Sequence, residues 1–266
     1  MNVFEVVKEN VTARQAAEAY GFRPNRSSMI CCPFHADRNP SMKVDSRFHC
    51  FGCGADGDVI DFAAKLLKVL SIEKVILIGA SDGGVYAQIF AKSHPEFVLA
   101  MILTTTLTID SDYVRDIQKE RFSTPILLLL LKLVPAKTEL NLLLKKSAGF
   151  LACELEEDRE YGRGFYEVVA SDLNYKQRFI HSFKCVYVLK DYPLFKESNF
   201  EYLRGKIQVL LPEKDMFKKE DQDRLAELFR KLDAEILHVP GGHVGFIVQS
   251  GYYIDLMEKF LEKNVI

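Results

Sequence analysis

The chain has 266 residues, 48% hydrophobic and 27% charged, enough apolar material for one large core or two unequal ones. A net charge of −2 supplies no global field, so any attraction for nucleic acid or an anionic membrane has to come from a local patch. The opening "MNVFEVVKEN" carries acids and no apolar core behind basic residues, which argues against a signal or transit peptide.

In chain order, Thr12-Ala-Arg-Gln15 is a capping box that opens a short helix, and Gly21 closes it. Next stand Cys32-Pro-Phe-His35 and Cys50-Phe-Gly-Cys53. Each pair puts two soft ligands on one tight turn, with Gly52 and Gly54 letting the backbone bend around a tetrahedral ion. Between them "SMKVDSRFH" alternates as strands do around Asp45-Ser46, so a hairpin brings the knuckles together as a zinc ribbon. The paired spacing selects Cys32, His35, Cys50 and Cys53 as ligands to zinc and leaves Cys31 and His49 outside the set. Cys153 and Cys185 stand alone on apolar segments and read as core thiols, a usage that fits the cytoplasm.

The stretch "ICCPFHADRNPSMKVDSRFHCFGCGADGDVIDFAAKL" resembles the CHC2-type zinc-binding domain of bacterial DnaG-family DNA primases, over about residues 10–67. That resemblance implies a contact with single-stranded template DNA and a link to DNA replication. The residues suit it, because Arg38, Lys43 and Arg47 can meet phosphates, and Phe34, Phe48 and Phe51 are candidates for base stacking. For Phe34 and Phe51, inside the knuckles, packing around the metal is the competing and favoured use. The acidic magnesium-holding constellation of the primase polymerase core is not found after residue 67.

A second pattern begins there. Lys74-Val-Ile-Leu-Ile-Gly79 reads as a short strand buried on both faces, and Gly79-Ala-Ser81-Asp-Gly83 turns it sharply into the helix "GVYAQIFAKSHPEF". Small residues at Gly79 and Gly83 leave room for a turn that exposes a serine hydroxyl. "VLAMILTTT", "GKIQVLLPEKD" and "AEILHVPGGH" supply three more strands, with Asp215 just past the second of these and His243 just past the third. The order Ser, Asp, His is that of the α/β hydrolases, and residues 68–266 are similar to that fold family through "LIGASDGG", "PEKD" and "PGGHVGF". The similarity implies Ser81 as nucleophile, His243 as general base, Asp215 as its orienting partner, and the N–H of Asp82 as an oxyanion donor. Residues 108–203 read as a helical cap; they contain the greasy stripes "PILLLLLKLVP" and "LNLLLKK", of which the first, broken by Lys132, is too short to span a bilayer.

The expected fold class is therefore α/β, with a small zinc ribbon (1–67) followed by an incomplete hydrolase-like parallel sheet (68–266). The hydrolase family places several strands ahead of the serine turn, and here the ribbon occupies that space. Strand 74–79 becomes an apolar edge that calls for a cover such as a second copy of the chain, and one oxyanion donor has no source. Two functions follow as expectations: a zinc-dependent DNA-binding module that binds single strands weakly, or an esterase-like serine hydrolase acting on a small ester or amide. No membrane partner is expected.

Overall fold

The computed structural model describes residues 12–119, 156–171 and 192–265, with isolated positions at 126, 129, 133–135 and 138. Cys153 and Cys185, the "LNLLLKK" stripe and most of the "PILLLLLKLVP" stripe lie outside the described residues. The chain divides into two compact units, with boundaries that include those between Val75 and Ile76 and between Tyr192 and Pro193.

In the first unit, helix α1 (Ala13–Ala19) starts at a reciprocal capping box in which the Gln15 N–H donates to Thr12 Oγ1 (3.1 Å) and the Thr12 N–H to Gln15 Oε1 (2.9 Å). Gly21 follows its end at φ +87°, a backbone state that suits glycine. Four short strands, β1 (Met29–Ile30), β2 (Met42–Val44), β3 (Phe48–Cys50) and β4 (Asp56–Gly57), form an antiparallel sheet in sequence order. The β2–β3 hairpin turns about Asp45 and Ser46, with Val44 opposite Phe48 and Met42 opposite Cys50. Helix α2 (Val59–Val69) begins at a second capping box, Asp58 with Asp61, that the sequence reading did not single out. Phe62 of α2 is the hub of the core, with ring centres 5.4 Å from Phe48, 5.5 Å from Phe34 and 6.2 Å from Phe22.

That packing removes two stacking candidates. Phe48 is wholly buried and Phe34 packs against the same core, because Cys50 must face inward to reach a metal and the period of two puts Phe48 on its side. Phe51 goes the other way: at 70% exposure it does not pack around the metal site.

The second unit is built on β5 (Val75–Ala80), β6 (Val98–Thr104), β7 (Ile207–Pro212) and β8 (Glu235–Val239), adjacent in that order. Parallel pairing joins β6 to β7 (Met101 to Ile207) and β7 to β8 (Val209 to Ile236). Helix α3 (Asp82–Ser93) follows β5, α4 (Ser111–Lys119) follows β6, and α5 (Glu156–Ser171) lies in the expected cap segment. Residues 192–203, also assigned to the cap, contain short 3₁₀ helices at Glu197–Asn199 and Glu201–Leu203. After β7 comes α6 (Lys219–Arg230); after β8 come α7 (Gly245–Val248) and α8 (Ser250–Asn264), whose Tyr253 packs on Leu210 and Val239.

Every residue of β7 is buried and all but one of β6, as strands covered on both faces should be. Strand β5 departs from that expectation. It is one of the two edge strands of the described sheet, with β8 the other; only its Gly79 is buried, and Ile78 is 60% exposed.

Candidate metal centre and candidate active site

The two knuckles bring Cys32, His35, Cys50 and Cys53 together, with all four ligand atoms within 4.8 Å of one another. Cys32 Sγ lies 3.9 Å from Cys53 Sγ, and Cys50 Sγ lies 3.9 Å from His35 Nδ1. Zinc–sulfur bonds of about 2.3 Å in a tetrahedron put ligand atoms about 3.8 Å apart, so the donor set fits zinc in both chemistry and spacing. Backbone N–H groups of Phe34 (3.4 Å, to Cys32), Gly52 (3.3 Å, to Cys50) and Cys53 (3.4 Å, to Cys50) aim at the sulfurs. Such donors stabilise thiolate. A Cβ on Gly52 would fall 2.8 Å from His35 Nε2, so glycine is required there for close approach. Burial raises the Cys50 thiol, but the Ser41 hydroxyl and the N–H groups of Cys53 and Gly52 outweigh it and bring it to about 6. Burial pushes Cys32 up to about 12. Cys31 is exposed and His49 lies on the outer side of β3, 3.7 Å from Asp56, so neither joins the cluster.

The outer face of the sheet carries the basic candidates. Met29, Lys43, His49 and Asp56 form one cross-strand row, and Phe51 meets His49 edge-on at 4.9 Å. Lys43 pairs with Asp45 (3.0 Å) and Arg47 with Asp56, while Arg38 is exposed. His49 is the residue the sequence reading set aside on this face. The inward demand on Cys50 was the signal that could have placed it outward.

In the second unit, Ser81 connects β5 to α3 with φ +52° and ψ −129°, a strained state for a residue with a side chain. Three hydrogen bonds hold it: the Ser81 N–H donates to Thr104 O (3.2 Å), and Ser81 O accepts from the Gly84 N–H (3.0 Å) and Thr106 Oγ1 (2.6 Å). Gly79 leaves the room expected of it, since a Cβ there would meet Gly84 Cα at 2.6 Å. The second tight position is Gly84, against Thr106, and not Gly83, which has open space around it. His243 Nε2 stands 3.0 Å from Ser81 Oγ, and His243 Nδ1 stands 2.8 Å from Asp215 Oδ1. The Asp215 carboxylate is fully buried and also accepts the Phe217 N–H (3.1 Å), which fixes its orientation. With that acceptor on Nδ1, the imidazole presents Nε2 to the serine proton, the arrangement of a nucleophile and its base. Asp82 is the first residue of α3, at the helix end where backbone N–H groups point outward.

Comparison with known proteins finds two kinds of relative. The family model described as the CHC2 zinc finger, the DnaG zinc ribbon, matches residues 1–90. The DNA primase of Helicobacter pylori is 35% identical over 96 residues, 32% of this chain and 16% of that primase. The Escherichia coli DNA primase is 46% identical over 48 residues, 17% of this chain and 8% of the relative. The chain thus spans less than a fifth of these primases, and its N-terminal part is a primase-type zinc ribbon. Among solved structures, an α/β hydrolase from a Medee basin deep-sea metagenome library superposes with TM-score 0.57 at 14% identity, covering 82% of this chain and 79% of that one. A 2-hydroxy-6-oxo-6-phenylhexa-2,4-dienoate hydrolase from Rhodococcus gives TM-score 0.53 at 14% identity, covering 77% and 70%. The described part of the second unit has the α/β-hydrolase fold. No helix among the described residues is long and apolar enough to cross a membrane.

Proposed function

We propose that the chain is a cytoplasmic single-stranded DNA-binding module of primase type, held in shape by zinc and serving DNA replication. The observation that carries this reading is Phe51, a large aromatic 70% exposed beside His49, on a sheet face that also presents Lys43 and Arg47. A packed core has no use for it there, whereas an unstacked base has. The ion pairs of Lys43 with Asp45 and of Arg47 with Asp56 have to open for a phosphate, so binding is weak. Titration with an oligonucleotide at several salt concentrations tests this. Phe51→Ala should lose about 1–3 kcal/mol, and Lys43→Ala should flatten the log–log salt slope by about 0.7. Absence of single-strand affinity at low salt rejects the reading.

A second activity is favoured by the assembled Ser81, His243 and Asp215: acyl transfer to water from a small ester or amide. The N–H of Asp82 is its one assigned oxyanion donor, and loss of one donor costs about 10²–10³ in rate. Slow labelling by a fluorophosphonate, lost in Ser81→Ala, with ester turnover far below that of an intact hydrolase, is the expected result. Rapid hydrolysis dependent on Ser81 would put the enzyme reading first.

A further inference from the structure

The segment between the first knuckle and β2 makes a set of contacts that zinc ligation alone does not require. Asp37 Oδ2 accepts the backbone N–H of Cys32 at 2.8 Å and the hydroxyl of Ser41 at 2.6 Å, while its other oxygen accepts the Asn39 N–H at 3.2 Å. Ser41 Oγ in turn lies 3.4 Å from Cys50 Sγ, and Ser41 O accepts the Phe51 N–H at 2.9 Å. The chain of contacts therefore starts on the backbone of one cysteine knuckle and ends on the sulfur of the other. Ser41 thus brings a polar side-chain atom from outside the four ligands within hydrogen-bond reach of a ligand sulfur.

We infer that Asp37 and Ser41 are positioning residues, a latch that sets the separation of the two knuckles before the ion arrives and orients Cys50 toward it. A carboxylate is needed because two donors converge on one oxygen while a third takes the other, a pattern that an amide cannot accept throughout. The hydroxyl is needed because it stands between Asp37 and the Cys50 sulfur and its one proton can turn to either, and Gly52, whose Cβ would come within 3.3 Å of Ser41 Oγ, keeps that gap open. Groups supporting metal ligands in this way typically contribute a factor of about 10–100 in metal affinity.

This inference rests on the reading of the ribbon as a zinc site, and one experiment separates the two. The full chain is loaded with zinc in competition with a chromogenic chelator, and separately with cobalt(II) to read the thiolate-to-metal absorption. The expected result is one zinc per ribbon in the parent, with affinity lower by about 10–100-fold in Asp37→Asn and Ser41→Ala. The double variant should lose no more than the worse single one, because both act through one latch. Ser41→Ala should also move the cobalt charge-transfer band, since its cause is a contact to the Cys50 sulfur, while Ser41→Thr, which keeps the hydroxyl, should stay near the parent in both readouts. A parent that binds no metal overturns the zinc reading and the latch together. A parent that binds zinc while both variants lie within about twofold of it, with the cobalt band unmoved, overturns the latch alone. If Ser41→Ala fails to fold, Ser41→Thr and Asp37→Asn decide: equal affinity in all three folded proteins also overturns it.

Discussion

The two candidate sites are assembled by opposite means. The metal cradle is local: its ligands fall between Cys32 and Cys53, on two turns joined by a hairpin, with Phe62 and its aromatic neighbours packed behind. The serine site is drawn from Ser81, Asp215 and His243, and depends on β5, β7 and β8 keeping register across the sheet. A local site tolerates being moved from one protein context to another, because the elements that shape it travel with it. A site spread over a sheet does not, and here its first strand is an edge with Ile78 60% exposed.

The largest effect that separates the two regions should come from Cys50→Ser. Removing one ligand should abolish zinc binding, worth about 10–16 kcal/mol in small metal modules, and unfold the ribbon. Fluorophosphonate labelling of Ser81 should persist, since its support lies in the other compact unit. Zinc content, amide-exchange protection of residues 12–69 and labelling rate measured on one preparation check this; labelling lost together with zinc would show that the regions are not independent. Next in size, Thr106→Val removes the hydroxyl that donates to Ser81 O, leaving the Gly84 N–H as its remaining donor. We expect about 1 kcal/mol of stability to go, with a slower labelling rate and no change in zinc content. The smallest effect on stability should be that of Ile78→Lys, within about 0.5 kcal/mol, because the side chain is already largely in water. Its effect on association is another matter: a lysine on an apolar edge strand should reduce self-association seen by light scattering. Unchanged association would show that β5 is covered in solution.

Much of this was legible in sequence for a physical reason. Ligand spacing, the Thr12 and Gln15 capping box and the order of Ser81, Asp215 and His243 are each written in residues close together or in a fixed succession of strand ends. The errors arose where a residue's role depended on which side of an element it faced. Phe48 reads as a surface aromatic until the inward demand on Cys50 is applied to its strand, and the same step would have turned His49 outward. Gly83 stood in the expected motif position, yet the crowding falls on Gly84, because Thr106 comes from the segment just after β6 and its approach is a tertiary fact. The run 74–79 reads as doubly covered by content, yet β5 is the apolar edge expected from the absent lead-in strands, because hydrophobic content reports what a strand wants while neighbours decide what it obtains.

The pairing of β6 with β7 also has a consequence in time. Met101 finds its partner Ile207 only after more than a hundred further residues have been made. At about 5–20 residues per second, that leaves the nascent chain waiting some 5–20 s with β5 and β6 already synthesised and their sheet unfinished. The ribbon has no such wait, since its strands all lie within residues 29–57 and it can close around a metal almost as soon as it leaves the ribosome. During synthesis the first region can therefore be complete while the second still lacks its central partner strand, and the yield of folded protein should be governed by that interval more than by the stability of either region once complete.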